Sequence, residues 1–302
     1  MLSPWLELPG ADERIAAWSD AVNLDLARLG TTATADEITD TSVTQPLVVA
    51  VTLLAHQELQ KRGLFGLGGQ ERSDPGFVTA ETVVAGHSVG EIAAYAIAGV
   101  LSADDAVTLA ATRGSEMARA CAVEPTGMAA VLGGDETEVL ARLEALDLVP
   151  ANRNAAGQIV AAGAISALEK LAEDPPAKAR VRLLATAGAF HTHFMSSALG
   201  GYSAAAQAVA TAEILGPTTI LLSNADGQPV TSADDAMTKL VAQLTRPVRW
   251  DLCTETMRQR EVTAIIEFPP AGTLVGIAKR ELRGVPTYAV KTPADLDGLA
   301  EL

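Results

Sequence analysis

The most constraining feature of this sequence is the pentapeptide GHSVG at residues 86–90. Residues 82–85 form a short β-branched run, and residues 91–101 and 103–122 have the composition and periodicity of helices. A GxSxG sequence between a strand and a helix predicts a nucleophile elbow, a sharp turn whose glycines permit a crowded backbone and hold the serine hydroxyl clear of its neighbours. The chain is therefore expected to contain an α/β unit built around this turn.

Ser88 is the candidate nucleophile of that turn. The N–H of Val89 lies at the positive end of the following helix and is placed to donate to an oxyanion that forms on an attacked carbonyl. A GxSxG match also occurs in tight turns that carry no chemistry, and here the flanking strand and helix favour the elbow.

A serine nucleophile needs a base, and the chain has four histidines, His56, His87, His191 and His193. His56 lies among apolar residues of a predicted helix, and the side chain of His87 is expected to point away from its neighbour Ser88. His191 or His193 remains, and we expect a loop to bring His191 over the serine. No Asp or Glu lies in the segment that leads to His191, so the acid of an ordinary α/β-hydrolase triad is not expected there.

Arg113 lies near the middle of a long Ala-rich helical stretch. A buried guanidinium at that position needs an anionic partner. One interpretation is a clamp for a substrate carboxylate, and the other is an ion pair with Glu116 or Glu91. The periodicity leaves both open.

The middle of the chain differs in pattern from its flanks, with elements in the order β-α-β-β-α-β at residues 127–132, 136–146, 149–162 (two strands of a hairpin), 165–173 and 181–185. This order predicts a ferredoxin-like subdomain. We expect it to span residues 126–185, inserted into an α/β-hydrolase-like large subdomain with a parallel sheet, formed by residues 1–125 and 186–302. In the first of these flanks, residues 44–59 are predicted to form a helix with Pro46 in its first turn.

Composition excludes several classes of protein. Lys and Arg number 22 against 37 Asp and Glu, a net charge of −15, so a nucleic-acid partner is not expected. No stretch is apolar for long enough to span a bilayer, so no membrane segment is expected. Cys121 and Cys253 are the only cysteines, lie far apart and form no CxxC, so neither a disulfide framework nor a cysteine-built zinc site is expected, and we expect a cytoplasmic protein. The glycine-rich residues 63–77 are expected to form a surface loop without phosphate-binding chemistry, because their GLGGQ lacks GK[ST].

A colinear set of motifs extends over nearly the whole chain: TSVTQP at 41–46, GHSVGE at 86–91, Arg113, NRNAAGQIVAAG at 152–163, GAFHT at 188–192, Ser223-Asn224, and QLTRPVRW at 243–250. Together they resemble the malonyl-CoA:acyl carrier protein transacylases, in the free-standing bacterial form that serves fatty-acid synthesis. The resemblance implies that Ser88 attacks the malonyl thioester with His191 as general base. It further implies that a backbone carbonyl at Gln243 orients the histidine and that Arg113 binds the malonyl carboxylate.

Phe190, directly before the histidine, resembles the malonyl-selecting members of the family, in which a ring leaves little room for an α-methyl branch. His87 and Gln243 complete the implied set of substrate-binding residues. The implied reaction is ping-pong transfer through a malonyl-serine ester, with malonyl-CoA and acyl carrier protein as partners and no cofactor or metal. Because acyl carrier protein is itself acidic, a local cationic surface is needed, and the densest late cluster is Arg246, Arg249, Lys279, Arg280 and Arg283.

Two departures from the family pattern stand out. The family opens with a strand and a GQGSQ loop whose first Gln supplies a second oxyanion N–H, and this chain begins beyond that loop, so we expect its recorded start to lie downstream of the natural one. Near the C-terminus, EFPPA at residues 267–271 replaces the family's EvGPG. The alternatives are a serine esterase or thioesterase, from GxSxG alone, and a non-catalytic carrier-binding module, from the missing loop.

Overall fold

The computed structural model describes residues 1–63, 81–214 and 218–301. Beyond Gly63, the loop predicted at residues 63–77 lies outside this description. The helices are α1 Ala11–Val22, α2 Leu26–Thr31, α3 Ala35–Thr39, α4 Thr41–Lys61, α5 Gly90–Ile97, α6 Ala103–Cys121, α7 Glu136–Ala145, α8 Ile165–Glu173, α9 Leu199–Ala208, α10 Ala233–Ala242, α11 Trp250–Gln259 and α12 Thr273–Glu281, with 3₁₀ helices at His193–Ala198, Gln243–Thr245 and Pro293–Glu301. The strands are β1 Thr82–Val84, β2 Thr126–Gly133, β3 Val149–Ala155, β4 Gln158–Ala164, β5 Ala179–Leu183, β6 Thr219–Leu221, β7 Val248–Arg249, β8 Ile265–Glu267 and β9 Thr287–Ala289.

Helix α4 begins earlier than its periodicity predicts. The Asp40 side chain accepts a hydrogen bond from the N–H of Ser42 and caps the helix, which therefore starts at Thr41. Pro46 consequently lies in the second helical turn and not in the first.

Helices α4 and α6 cross at close range in the main core. A Cβ added at Gly114 of α6 would lie 2.5 Å from the carbonyl oxygen of Thr41, so a glycine is required at this crossing. The close approach brings the neighbouring Arg113 against Gln45 of α4. Buried apolar residues of α1, α4, α5, α6, α9 and α10 surround the crossing as one continuous cluster.

Strands β1 and β6 form a parallel pair with Thr82 opposite Thr219 and Val84 opposite Leu221. Because the carboxyl ends of parallel strands meet at one edge, the turn after β1 and the segment after β6 lie together there. Ser88 follows β1 and Asn224 follows β6, so this edge assembles groups that are far apart in the chain.

The second sheet has the order β5-β2-β4-β3-β7. Its first four strands pair antiparallel, and in chain order they read 4-1-3-2, the arrangement of a ferredoxin-like sheet. Helices α7 and α8 pack on these strands over a small apolar core that includes Val131, Leu143 and Leu168. The predicted α/β architecture with a ferredoxin-like part is therefore confirmed, and the boundaries proposed for it, residues 126–185, stay a prediction.

The fifth strand of that sheet, β7, has no counterpart in the predicted elements. It contains two residues, Val248 and Arg249, and pairs parallel with β3 through Asn152 and Arg153. A two-residue strand shows no periodicity, so its position depends on the tertiary contact alone.

The EFPPA segment, which departs from the family pattern, forms a helix cap. The carboxylate of Glu267 accepts hydrogen bonds from the backbone N–H groups of Gly272, Leu274 and Val275, each at 2.9 Å. The side chain thereby satisfies the free donors at the start of α12. None of the helices that the structure describes is long and apolar enough to cross a membrane.

Candidate active site

Ser88 lies in a tight turn between β1 and α5, with its backbone in the left-handed region at φ +55°. A Cβ added at Gly86 would lie 1.9 Å from the carbonyl oxygen of Gly90, so only glycine fits at the first position. A Cβ added at Gly90 would meet nothing within 4 Å. The expectation that the motif's glycines relieve crowding therefore holds for Gly86 but is wrong for Gly90.

The side chain that reaches the serine is His191. Its Nε2 lies 2.7 Å from Ser88 Oγ, and its Nδ1 lies 2.8 Å from the backbone carbonyl oxygen of Gln243. Because a carbonyl oxygen only accepts hydrogen bonds, Nδ1 carries the proton and Nε2 is free to accept one from the serine hydroxyl. His193 is exposed, and its ring stacks at 4.1 Å on that of Phe194.

The environment of His191 keeps the imidazole neutral. The ring is buried, and this burial, with the nearby positive charge of Arg113, lowers the pKa of His191 to about 3. A neutral imidazole at physiological pH is in the state that a general base needs.

Asn224 holds the elbow in place and was not predicted as a site residue. Its Oδ1 accepts from the N–H of Ser88 at 2.8 Å, and its Nδ2 donates to the carbonyl of Gly86 at 2.8 Å. The sequence marks Ser223-Asn224 only as one of the colinear motifs, and the role of the Asn224 side chain becomes visible only with the pairing of β6 and β1. Among the described residues, the N–H of Val89 has no hydrogen-bond acceptor, so this donor is available to a ligand.

Arg113 is 1% exposed and has only amide acceptors. Its Nη1 donates to Gln45 Oε1 and its Nη2 to Gln243 Oε1, each at 2.7 Å. Its Nε has no partner among the described residues, and none of their carboxylates lies within 4.0 Å of the guanidinium. Glu116, one of the two carboxylates considered for it, pairs with Arg119 instead.

Glu91, the other carboxylate considered, lies fully buried beneath the serine. One oxygen accepts from the backbone N–H of Asn224 at 2.6 Å, and the other accepts from Gln243 Nε2. Burial raises the pKa of Glu91 to about 7, because its effect exceeds that of the hydrogen bond from the Asn224 backbone, which lowers the pKa.

His87 and Phe190 are the residues directly before Ser88 and His191 in the chain. His87 Nε2 lies 2.8 Å from Asn154 Oδ1 on β3, and the ring meets Trp250 edge-on. These contacts tie the elbow to the second sheet. Phe190 is half-buried and packs against both the main core and a smaller cluster around Ala189.

The described residues contain no group of three or more His, Cys, Asp or Glu side chains that could hold a metal ion. Both cysteines, Cys121 and Cys253, are free thiols.

Comparison with known proteins gives a consistent result over the full length. The sequence model of the acyl transferase domain family matches residues 13–294. A malonyl CoA-acyl carrier protein transacylase of Mycolicibacterium smegmatis is 75% identical over 306 aligned positions, covering 100% of this chain and 100% of that protein.

Two solved structures are similar in fold. The crystal structure of MCAT from Mycobacterium tuberculosis has a TM-score of 0.92 and 71% identity, covering 99% of this chain and 94% of that one. A malonyl-transacylase solved in complex with its type II PKS acyl-carrier protein has a TM-score of 0.88 and 26% identity, covering 100% of this chain and 94% of that one.

Proposed function

We propose the function of this chain from its family: the chain belongs to the acyl transferase family and, within it, to the malonyl-CoA:acyl carrier protein transacylases. It is an acyltransferase that moves the malonyl group from malonyl-CoA to acyl carrier protein and so supplies fatty-acid synthesis. One observation supports the assignment of residues to this reaction. The Ser88–His191 pair and the guanidinium of Arg113, which has no carboxylate partner among the described residues, share Gln243 as a hydrogen-bonding partner.

In the first half-reaction, Ser88 Oγ attacks the thioester carbonyl while its proton passes to His191 Nε2. The oxyanion that forms accepts a hydrogen bond from the N–H of Val89. Collapse of the intermediate breaks the carbon–sulfur bond, and the coenzyme A thiolate takes the proton from His191. The products are a malonyl-serine ester and free coenzyme A.

The second half-reaction repeats these steps with a different nucleophile. The phosphopantetheine thiol of acyl carrier protein gives its proton to His191 and attacks the ester carbonyl, and Ser88 leaves with that proton. Atoms and charges balance without a redox or metal step, so the proposed reaction needs no cofactor.

A cytoplasmic location stays a proposal, supported by the two free cysteines.

Selection of the malonyl group is assigned to Arg113. A substrate carboxylate supplies the anion that the guanidinium lacks, through charge-assisted hydrogen bonds that an acetyl group cannot make. Phe190 is proposed to limit the space beside the α-carbon, so that methylmalonyl is disfavoured. His87 is proposed to line the substrate side of the elbow while it holds Asn154.

The experiment is intact-mass analysis of the purified chain before and after incubation with malonyl-CoA. We expect one malonyl adduct on the wild-type chain and none on Ser88→Ala. In Arg113→Ala, the preference for malonyl-CoA over acetyl-CoA should fall by about a hundredfold to several thousandfold, because a buried charge pair is lost. Rapid release of free malonate without a carrier thiol would instead indicate an esterase, and carrier binding without an adduct would indicate a binding module.

A further inference from the structure

A buried charge pair lies beneath the reacting groups with a neutral amide between its members. Glu91 on α5 is 0% exposed and Arg113 on α6 is 1% exposed. The side chain of Gln243 contacts both charges: its Oε1 accepts from Arg113 Nη2 at 2.7 Å, and its Nε2 donates to Glu91. Because a guanidinium only donates hydrogen bonds and a carboxylate only accepts them, the two charges determine which end of the amide faces which residue.

The second oxygen of Glu91 reaches the elbow. It accepts the backbone N–H of Asn224 at 2.6 Å, and the Asn224 side chain holds the N–H of Ser88 and the carbonyl of Gly86. One carboxylate thus fixes two separate supports, the amide beside the arginine and the asparagine behind the nucleophile.

We propose that Glu91 is a positioning residue that balances the charge of Arg113 through Gln243, so that the guanidinium has neutral acceptors and a malonyl carboxylate binds it without first breaking an ion pair. This inference rests on the proposed function, in which Arg113 receives the malonyl carboxylate. A carboxylate in direct contact with Arg113 would form a buried ion pair, and separating such a pair is strongly unfavourable. Placing the negative charge one amide away avoids that competition.

The arrangement requires two acceptor oxygens at position 91. Glu91→Gln has the same shape but offers one acceptor and one donor, so a donor must face either the N–H of Asn224 or Nε2 of Gln243. If the Gln243 amide turns over to avoid this contact, its N–H groups face the Arg113 guanidinium. Either outcome disturbs one of the two supports.

A double substitution moves the negative charge into direct contact with Arg113. It also removes the two weaker hydrogen bonds, each at 3.3 Å, that Gln243 Nε2 donates to the carbonyl of Ser88 and to Asn224 Oδ1. In Glu91→Gln combined with Gln243→Glu, the introduced amide can accept from Asn224 and donate to the introduced carboxylate, which in turn accepts from Arg113. The backbone carbonyl at position 243, which orients His191, is retained. The negative charge now contacts the guanidinium directly, where it competes with the substrate.

The test compares the first half-reaction of the wild-type chain with those of Glu91→Gln, the double variant and Tyr95→Phe at about pH 8, above the pKa of Glu91, where this carboxylate is ionised. Both malonyl-CoA and acetyl-CoA are used as substrates, and kcat and KM are measured separately. Tyr95 is the matched control, since it is a buried polar residue of the same helix whose hydroxyl donates to the carbonyl of Ala236 at 3.0 Å and to none of the groups that Glu91 contacts.

We expect Glu91→Gln to lower kcat/KM for malonyl-CoA by about 10- to 100-fold, as for one buried group left without its partner, while Tyr95→Phe stays within about twofold. The double variant should have a lower kcat with both substrates, because hydrogen bonds at the elbow are lost, but its KM should rise by about tenfold or more for malonyl-CoA alone.

Equal effects of Glu91→Gln and Tyr95→Phe would overturn the inference, and so would a double variant with the wild-type KM for malonyl-CoA. If Glu91→Gln does not fold, the KM of the double variant for malonyl-CoA tests the inference alone: a raised KM supports it and a wild-type KM overturns it. Failure of the proposed function is a separate result, because it would appear as a wild-type chain that forms no malonyl adduct.

Discussion

At the scale of single residues, the orienting group of His191 is a carbonyl and not a carboxylate. The Gln243 carbonyl sets the tautomer without supplying a negative charge that would stabilise an imidazolium. Burial and the charge of Arg113 act in the same direction on the pKa of His191, which is about 3.

This environment predicts an imidazole that stays neutral far below the ordinary pKa of 6.5. In imidazole ¹⁵N–¹H spectra, we expect the signals of His191 to keep the neutral Nδ1–H pattern from about pH 8 to about pH 5, and the variant His191→Asn identifies them. Arg113→Met should raise the pKa of His191, because a nearby positive charge is removed. A protonation midpoint of the wild-type signal close to the ordinary value would contradict this account.

His56 gives a second prediction, about stability. It is buried on α4, edge-on to Phe268, and burial lowers its pKa from 6.5 to about 4. Below the unfolded-state pKa the unfolded chain binds more protons than the native chain, so the free energy of unfolding falls as the pH falls from 6.5 toward 4. Between about pH 7.5 and about pH 5.5 this one group costs about 1 kcal/mol.

Urea unfolding of the wild type and of His56→Leu at those two pH values measures this cost. The wild type should lose about 1 kcal/mol more than the variant on acidification, since the other titrating groups are common to both proteins and cancel. Parallel losses in the two proteins would show that His56 titrates alike in the folded and unfolded chains.

At the scale of elements, the elbow depends on one of its two glycines. Gly86→Ala would place a Cβ 1.9 Å from a backbone oxygen, whereas Gly90→Ala would place one in open space at the start of α5. We expect Gly86→Ala to lower the free energy of unfolding by at least about 3 kcal/mol and Gly90→Ala to change it by no more than about 1 kcal/mol. Thermal or urea unfolding of the pair checks this, and a stable Gly86→Ala chain would show that the turn adapts.

The sequence predicted the elements that carry a periodic pattern or a local motif. Local spacing of apolar and glycine residues predicts the elbow, the β-α-β-β-α-β order and the helices from α5 to α8. The contacts that support the site could not be predicted in this way. Glu91 and Asn224 are 133 positions apart in the chain, and Arg113 and Gln243 are 130 positions apart. Such contacts depend on the parallel pairing of β1 with β6 and on the α4–α6 crossing, neither of which leaves a local pattern.

At the scale of the whole molecule, a chain of net charge −15 must bind an acidic carrier protein. Two members of the expected cationic cluster are already engaged, since Arg249 pairs with Asp251 and Arg280 donates to Gln158. Arg246, Lys279 and Arg283 are exposed and have no ion pair within the described parts of the chain. These three are the better candidates for the carrier surface.

We expect Lys279→Glu to raise the KM for acyl carrier protein by about twofold to tenfold, with less effect at high salt and no change in the acylation of Ser88 by malonyl-CoA. The control is Lys170→Glu, an exposed lysine on α8 whose substitution changes the net charge equally. Steady-state transfer to the carrier at two salt concentrations measures the difference. The same KM for both variants would assign the effect to overall charge and not to this surface.

The backbone of the two reacting residues has a consequence for how such a chain evolves. Ser88 and His191 both lie in the left-handed region, at φ +55° and +61°, where residues other than glycine carry a strain of about 1 to 3 kcal/mol. A glycine at either position would relax the backbone and abolish the chemistry in one step. Selection for thermal robustness alone therefore acts against the two residues that the reaction requires. In lineages released from the need to transfer acyl groups, these are the positions where drift to glycine should begin.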